Sequence, residues 1–133
     1  MEENQVNYID QNSKDGSVSY ANDVIAIIAG IATVEIEGVA GMSGGITSGI
    51  AEMLGRKNLT KGVTVELGKE ETAIDLNIIV EYGSIIHEVT KKVQENVKKA
   101  VETMTGLRVV EVNVAVQGVN VKQEKEAPQP RLK

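Results

Sequence analysis

The stretch Gly62-Val63-Thr64-Val65-Glu66-Leu67-Gly68-Lys69-Glu70-Glu71-Thr72-Ala73-Ile74-Asp75-Leu76-Asn77-Ile78-Ile79-Val80-Glu81-Tyr82 decides the fold. Val63, Val65 and Leu67 alternate with Thr64 and Glu66. After the turn residues Gly68-Lys69-Glu70-Glu71, Ile74, Leu76, Ile78, Val80 and Tyr82 alternate with Asp75, Asn77, Ile79 and Glu81. Two runs of period two joined by such a turn form a β-hairpin with one apolar face. A sheet that is apolar on one side needs a helical layer on that side only.

The chain supplies that layer on both flanks. Downstream, Gly83-Ser84 opens a long helix with Ile85, Val89, Val93, Val97, Ala100, Val101 and Met104 on one stripe, stopped by Thr105-Gly106. Its other face interleaves Lys91, Lys92, Lys98 and Lys99 with Glu88, Glu95 and Glu102, the pattern of a solvated face. Glu88–Lys92 and Glu95–Lys99 have the i,i+4 spacing of helical ion pairs. A last strand turns Val110, Val112, Val114 and Val116 inward and Glu111, Asn113 and Gln117 outward. Its apolar phase shifts after Gly118 to Val119 and Val121, as a bulge would cause.

Upstream, a short strand is expected at Ser17–Tyr20, followed by a helix capped by Asn22 or Asp23 and running to about Ile36. Val24, Ile27, Ile28, Ile31 and Val34 form one stripe of this helix; Ile25, Ala29, Ala32 and Ile36 form another. Ala26, Ala29, Gly30 and Ala32 keep the helix thin. A helix apolar on two sides is sunk in the core or shared with another subunit, and the second stripe is expected to meet a partner. Gly38 ends the helix and Val39–Met42 reads as a short buried strand.

Glycines at 41, 44, 45, 49, 55 and 62 then mark an excursion in which Ile46, Ile50, Met53 and Leu54 recur at helical spacing, with Thr47 or Ser48 as a cap. Each glycine costs about 1 kcal/mol relative to alanine, so a marginal helix and the most mobile ordered part are expected. Ile50, Met53, Leu54, Arg56, Lys57 and Lys61 join Ile25, Ala29, Ala32 and Ile36 as candidate interaction residues. The order β-α-β-β-β-α-β defines an α+β fold: a mixed, mostly antiparallel sheet with two helices on one face. The domain is expected over 17–121, between a disordered acidic leader at 1–16 and a flexible charged tail at 122–133 that holds Pro128 and Pro130.

Composition narrows the chemistry. The 133 residues include 19 Val and 13 Ile against 6 Leu, with no Phe and no Trp, a β-branched core that suits strands. Without cysteine there are no disulfides, thiolate metal sites or thiol catalysis, and the lone His87 reads as a surface residue. A net charge of −5 with no dense basic segment argues against general nucleic-acid binding. The polar N-terminus is not a signal peptide. The longest uncharged apolar run, Val24 to Val34, is eleven residues, short of the ~20 that a membrane span needs, so a cytoplasmic protein is expected.

The outward sheet face collects Thr64, Glu66, Asp75, Asn77, Glu81, Glu111, Asn113 and Gln117 and reads as a solvated surface. A metal-dependent enzyme using Glu66, Asp75 or Glu111 is the weakest alternative. Gly41-Met42-Ser43-Gly44 matches the bare G-x-x-G loop of KH domains, and with Arg56, Lys57 and Lys61 it keeps a single-strand RNA binder as another. No nucleotide-binding loop of the G-x-x-x-x-G-K-[ST] or G-x-G-x-x-G type occurs, and no cofactor is expected. No catalytic set emerges. Surplus aliphatic surface points to self-association or a partner.

Several spaced motifs also carry a likeness. Val24-Ile25 through Ile36-Glu37-Gly38-Val39-Ala40-Gly41-Met42, then Gly62-Val63, Asp75 to Tyr82-Gly83, Val93-Gln94-Glu95-Asn96-Val97, Met104-Thr105-Gly106-Leu107, Val112-Asn113-Val114 and Val116-Gln117-Gly118-Val119 occur in that order. Over 17–121 the chain resembles the alkaline shock protein family of Gram-positive bacteria, the envelope stress response proteins with YloU- and YqhY-like members. The resemblance implies a non-enzymatic, self-associating cytoplasmic protein of envelope homeostasis. It implies a homo-oligomer, and for some members a membrane-anchored partner carrying the same domain. For YqhY-like members it implies a link to acetyl-CoA carboxylase and fatty-acid synthesis. It carries no catalytic residues.

Overall fold

The computed structural model describes residues 15–44 and 60–121. The elements are α1 (Asn22–Val34), β1 (Val39–Met42), β2 (Val63–Leu67), β3 (Glu71–Glu81), α2 (Ile86–Thr105) and β4 (Arg108–Asn120). From α1 onward the order is the expected one, and the fold is α+β. Ser17–Tyr20 is not a strand. That segment is held instead by the Tyr20 hydroxyl, which donates to the Thr105 carbonyl at 3.0 Å. The expected leader and tail fall almost wholly, and the glycine-rich helix wholly, outside the described residues.

β3 is the axis of the sheet. β2 pairs antiparallel with its first half, from Val63↔Leu76 to Leu67↔Thr72. β1 pairs antiparallel with its second half, from Val39↔Val80 to Met42↔Ile78. These two short strands share one edge of β3, while β4 runs parallel along the whole of the other, from Glu71↔Arg108 to Glu81↔Asn120. The hairpin turn closes where the Gly68 amide donates to the Glu71 carbonyl at 2.7 Å.

Alternation along β3 sends Thr72, Ile74, Leu76, Ile78 and Val80 into the core. Both helices cover that face, α1 over β1 and β2 and α2 over β4. α2 presents Val89, Val93, Val97 and Val101 inward. A step of four residues overshoots a 3.6-residue turn, so the stripe drifts and ends on buried Thr105. Met104, expected on the inner stripe, is exposed. Gly106 closes the helix with φ +83°, the left-handed cap that glycine adopts without strain.

On the outer face the expected polar residues form a ladder across β3 and β4. Asn113 donates to Asp75 at 2.8 Å and to Glu111 at 3.2 Å, Gln117 to Asn77 at 3.2 Å and Asn120 to Glu81 at 3.3 Å, and Arg108 pairs with Glu71.

β4 carries two bulges. The register steps from Thr72↔Val109 to Ala73↔Glu111 and again from Ile78↔Val116 to Ile79↔Gly118. The second is the phase shift anticipated near Gly118. The first exchanges two neighbours: Val109 is buried, and Val110, expected inward, is exposed.

The outer edge of β4 is partly capped by α2. Glu102 accepts from the Val109 amide at 2.9 Å, Lys98 donates to the Val109 carbonyl at 3.3 Å, and Gln94 donates to the Val112 carbonyl at 2.9 Å. The ion pair on this helix is Lys98–Glu102 at 3.2 Å, in place of the expected Glu88–Lys92 and Glu95–Lys99, because the strand edge fixes both side chains.

Two predictions test these joints. Gly38 has φ +104°, and a Cβ there would lie 2.6 Å from Cγ2 of Val89. Gly38→Ala should therefore lose about 1–3 kcal/mol in denaturant unfolding. Gly41→Ala meets nothing within 4 Å and should change stability by about 0.5 kcal/mol or less. The Glu102 carboxyl is held below the ordinary carboxylate range, first by the Val109 amide and then by Lys98. A lowered folded-state value stabilises the fold above the unfolded value, and that stability is lost as pH falls through the folded value. Glu102→Gln should be less stable than the parent at neutral pH, by less than about 1 kcal/mol for so exposed a pair. The gap should close as unfolding is measured at progressively more acid pH.

Candidate interaction surface

α1 is apolar around most of its circumference, and the structure sorts its two stripes. Ile25, Ala26, Ala29, Gly30, Ala32 and Thr33 are buried against the sheet and α2. The buried Thr33 hydroxyl is satisfied by the Ala29 carbonyl at 2.7 Å. Small side chains at 26, 29, 30 and 32 let the helix backbone come close to its neighbours, so the thin side packs inward. Of the bulkier stripe, Val24, Ile31 and Val34 face out at 41%, 43% and 47% exposed, Ile27 is half-buried, and Ile28, expected with them, packs against the core.

The candidate interaction residues are thus redistributed. Ile25, Ala29 and Ala32 belong to the core of this chain and Ile36 is half-buried against it, so they offer a partner little surface. Lys61 is exposed beside β2. Ile50, Met53, Leu54, Arg56 and Lys57 lie outside the described residues. The spacing of Val24, Ile27, Ile31 and Val34 (three, four, three) is that of a helix-packing seam. Its exposure was not readable in advance, because both stripes are equally apolar in sequence.

The helix carrying this seam is pinned at both ends. At its start Asn22 donates to the Val65 carbonyl at 3.1 Å rather than capping the helix, whose N-cap is Ala21. At its end Asn96 of α2 donates to the Ala32 carbonyl at 2.8 Å and to Glu35 at 3.2 Å. A seam on a fixed element loses little conformational freedom when another molecule covers it.

The competing chemistries find less support. Gly41 and Met42 of the G-x-x-G motif lie in β1, in register with Ile79 and Ile78, and the Ser43 amide donates to the Asn77 carbonyl at 2.9 Å. Those residues are a strand end, so the motif does not form the free loop that clamps a nucleic-acid backbone. Asp75 and Glu111 are bridged by Asn113, and among the described residues no three His, Asp or Glu side chains gather to hold a metal. His87 is exposed in the first turn of α2. Among the described residues no helix is long and apolar enough to cross a membrane.

A four-stranded α+β sheet with both helices on one face, and an aliphatic seam left open on one of them, defines the class of domain. The chain belongs to the Asp23 family, a family of cell envelope-related function whose profile matches residues 10–121 (the family's name does not refer to residue 23 of this chain). Bacillus subtilis YloU is 42% identical over 115 residues, spanning 85% of this chain and 96% of that protein. Bacillus subtilis YqhY is 39% identical over 104 residues, 78% of this chain and 77% of that one. The stress response regulator Gls24 homolog of Streptococcus pyogenes is 33% identical over 132 residues, 94% of this chain and 74% of that one. The likeness to alkaline shock proteins seen in the motifs is thereby established.

The sorting of the stripes predicts opposite responses on neighbouring turns. Ile31→Lys should change denaturant stability by about 0.5 kcal/mol or less. Ala29→Leu, which overfills a site with no exposed surface, should lose about 1–3 kcal/mol. A larger loss for Ile31→Lys than for Ala29→Leu would mean that the stripes are assigned the wrong way round.

Proposed function

We propose that this chain is a non-enzymatic interaction protein of cell-envelope stress homeostasis, acting in the cytoplasm by self-association and by binding a partner protein through the outer stripe of α1. The observation that carries the reading is the outward stripe of exposed Val24, Ile31 and Val34 with half-buried Ile27 on a helix fixed at both ends. Contiguous apolar surface of this kind marks contact sites in soluble proteins. The envelope-related family and the stress response regulator among the relatives supply the context. A membrane-anchored protein bearing the same domain is the kind of partner that suits an aliphatic seam without charge of its own.

Sedimentation velocity of the purified chain from micromolar upward should show a mass above the monomer that grows with concentration. A strict monomer throughout contradicts the self-associating part. Photo-crosslinking in the native cell from position 31 should capture envelope proteins that a probe at Asp75, on the polar sheet face, does not. Identical products from the two positions would contradict the role of the seam.

A further inference from the structure

We propose that two copies of this chain join edge to edge through the second half of β4, antiparallel, so that one sheet runs through both subunits. The proposal rests on the self-associating reading above and names its surface. Among the described residues β4 hydrogen-bonds as a strand to β3 alone, and no described strand pairs with its other edge. Natural proteins rarely leave a long strand edge bare, because it is a template for another chain. Here the protection is partial: Gln94, Lys98 and Glu102 of α2 occupy the edge groups of Val109 and Val112. Strand alternation turns the N–H and C=O of Val114 and Val116 the same way, and α2 supplies no side chain to them.

The unguarded half is also the apolar half. Val116 and Val119 lie on the helix side of the sheet yet remain exposed. Tyr82, whose amide donates to the Asn120 carbonyl at 3.0 Å, is 74% exposed at the same end. An incoming strand at this edge would both complete the ladder and cover those side chains, the two components of strand addition.

Charge selects the occupant. The chain carries −5, so a second copy is repelled from most of this surface, but Val112 to Val121 contains no charged residue. That stretch is bounded in sequence by Glu111 and Lys122. An antiparallel copy sets the Glu111 ends of the two strands at opposite limits of the contact, whereas a parallel copy would set these like charges side by side. The antiparallel contact is also isologous, so it closes as a two-fold dimer, and it leaves the seam on α1 free for a different protein.

The absence of native cysteine makes the test direct. Gln117→Cys, near the expected two-fold axis, should form an intersubunit disulfide under mild oxidation, and Ile31→Cys should not. In sedimentation, Val116→Lys should weaken self-association by about tenfold or more, and Ile31→Lys by less than about twofold. Circular dichroism and unfolding midpoints identify any variant that has lost its fold; Ala115→Lys, on the solvent face, then replaces Val116→Lys. Self-association that survives both lysine variants, with crosslinking at Ile31→Cys, would place the second copy on α1 and overturn this proposal while leaving the self-associating reading intact. A parent chain that stays monomeric at every concentration would overturn both.

Discussion

Everything in this fold hangs on the inner face of β3. Ile74, Leu76, Ile78 and Val80 are essentially inaccessible to water, and each sits on a strand already committed on both edges. Burying a Val or Ile side chain fully is worth about 1.5–3 kcal/mol, so this row is the largest concentrated contribution to the core. It can be buried only if two helices lie over it. That demand brings α2 back across the sheet to deliver β4 in parallel, and it draws α1 down over the two short strands on the opposite edge.

The same demand explains why α1 has spare surface. One helix stripe is enough to cover β1 and β2 and to meet α2, and the stripe with small residues does it by close approach. Val24, Ile31 and Val34 are then left exposed. On the other side of the molecule, the side chains of α2 reach the edge groups of β4 only at Val109 and Val112. The two open surfaces therefore lie on opposite flanks of the sheet, one aliphatic and helical, the other a backbone edge.

Much of this was legible in the sequence. The β2–β3 hairpin, the valine stripe of α2, the bulge near Gly118 and the polar outer face follow from periodicity, because each has a clean contrast between its two sides. What failed to show lacked that contrast or depended on distant partners. α1 is apolar all round, so nothing local says which stripe turns inward. Val109-Val110 offers two equivalent valines for one buried place, and only the bulge chooses. Ser17–Tyr20 alternates like a strand but pairs with no strand among the described residues. Gln94, Lys98 and Glu102 look like solvent-facing residues in one dimension and become edge caps only when β4 lies beside them.

Single-amide hydrogen exchange under native conditions tests the primacy of β3 most directly. The amides of Ile74 to Val80 should exchange slowest, and only through global unfolding, while β1 and the start of α1 open at lower cost. If the β3 amides instead exchanged through partial openings, with α2 or β4 outlasting them, the central strand would not be what organises this domain.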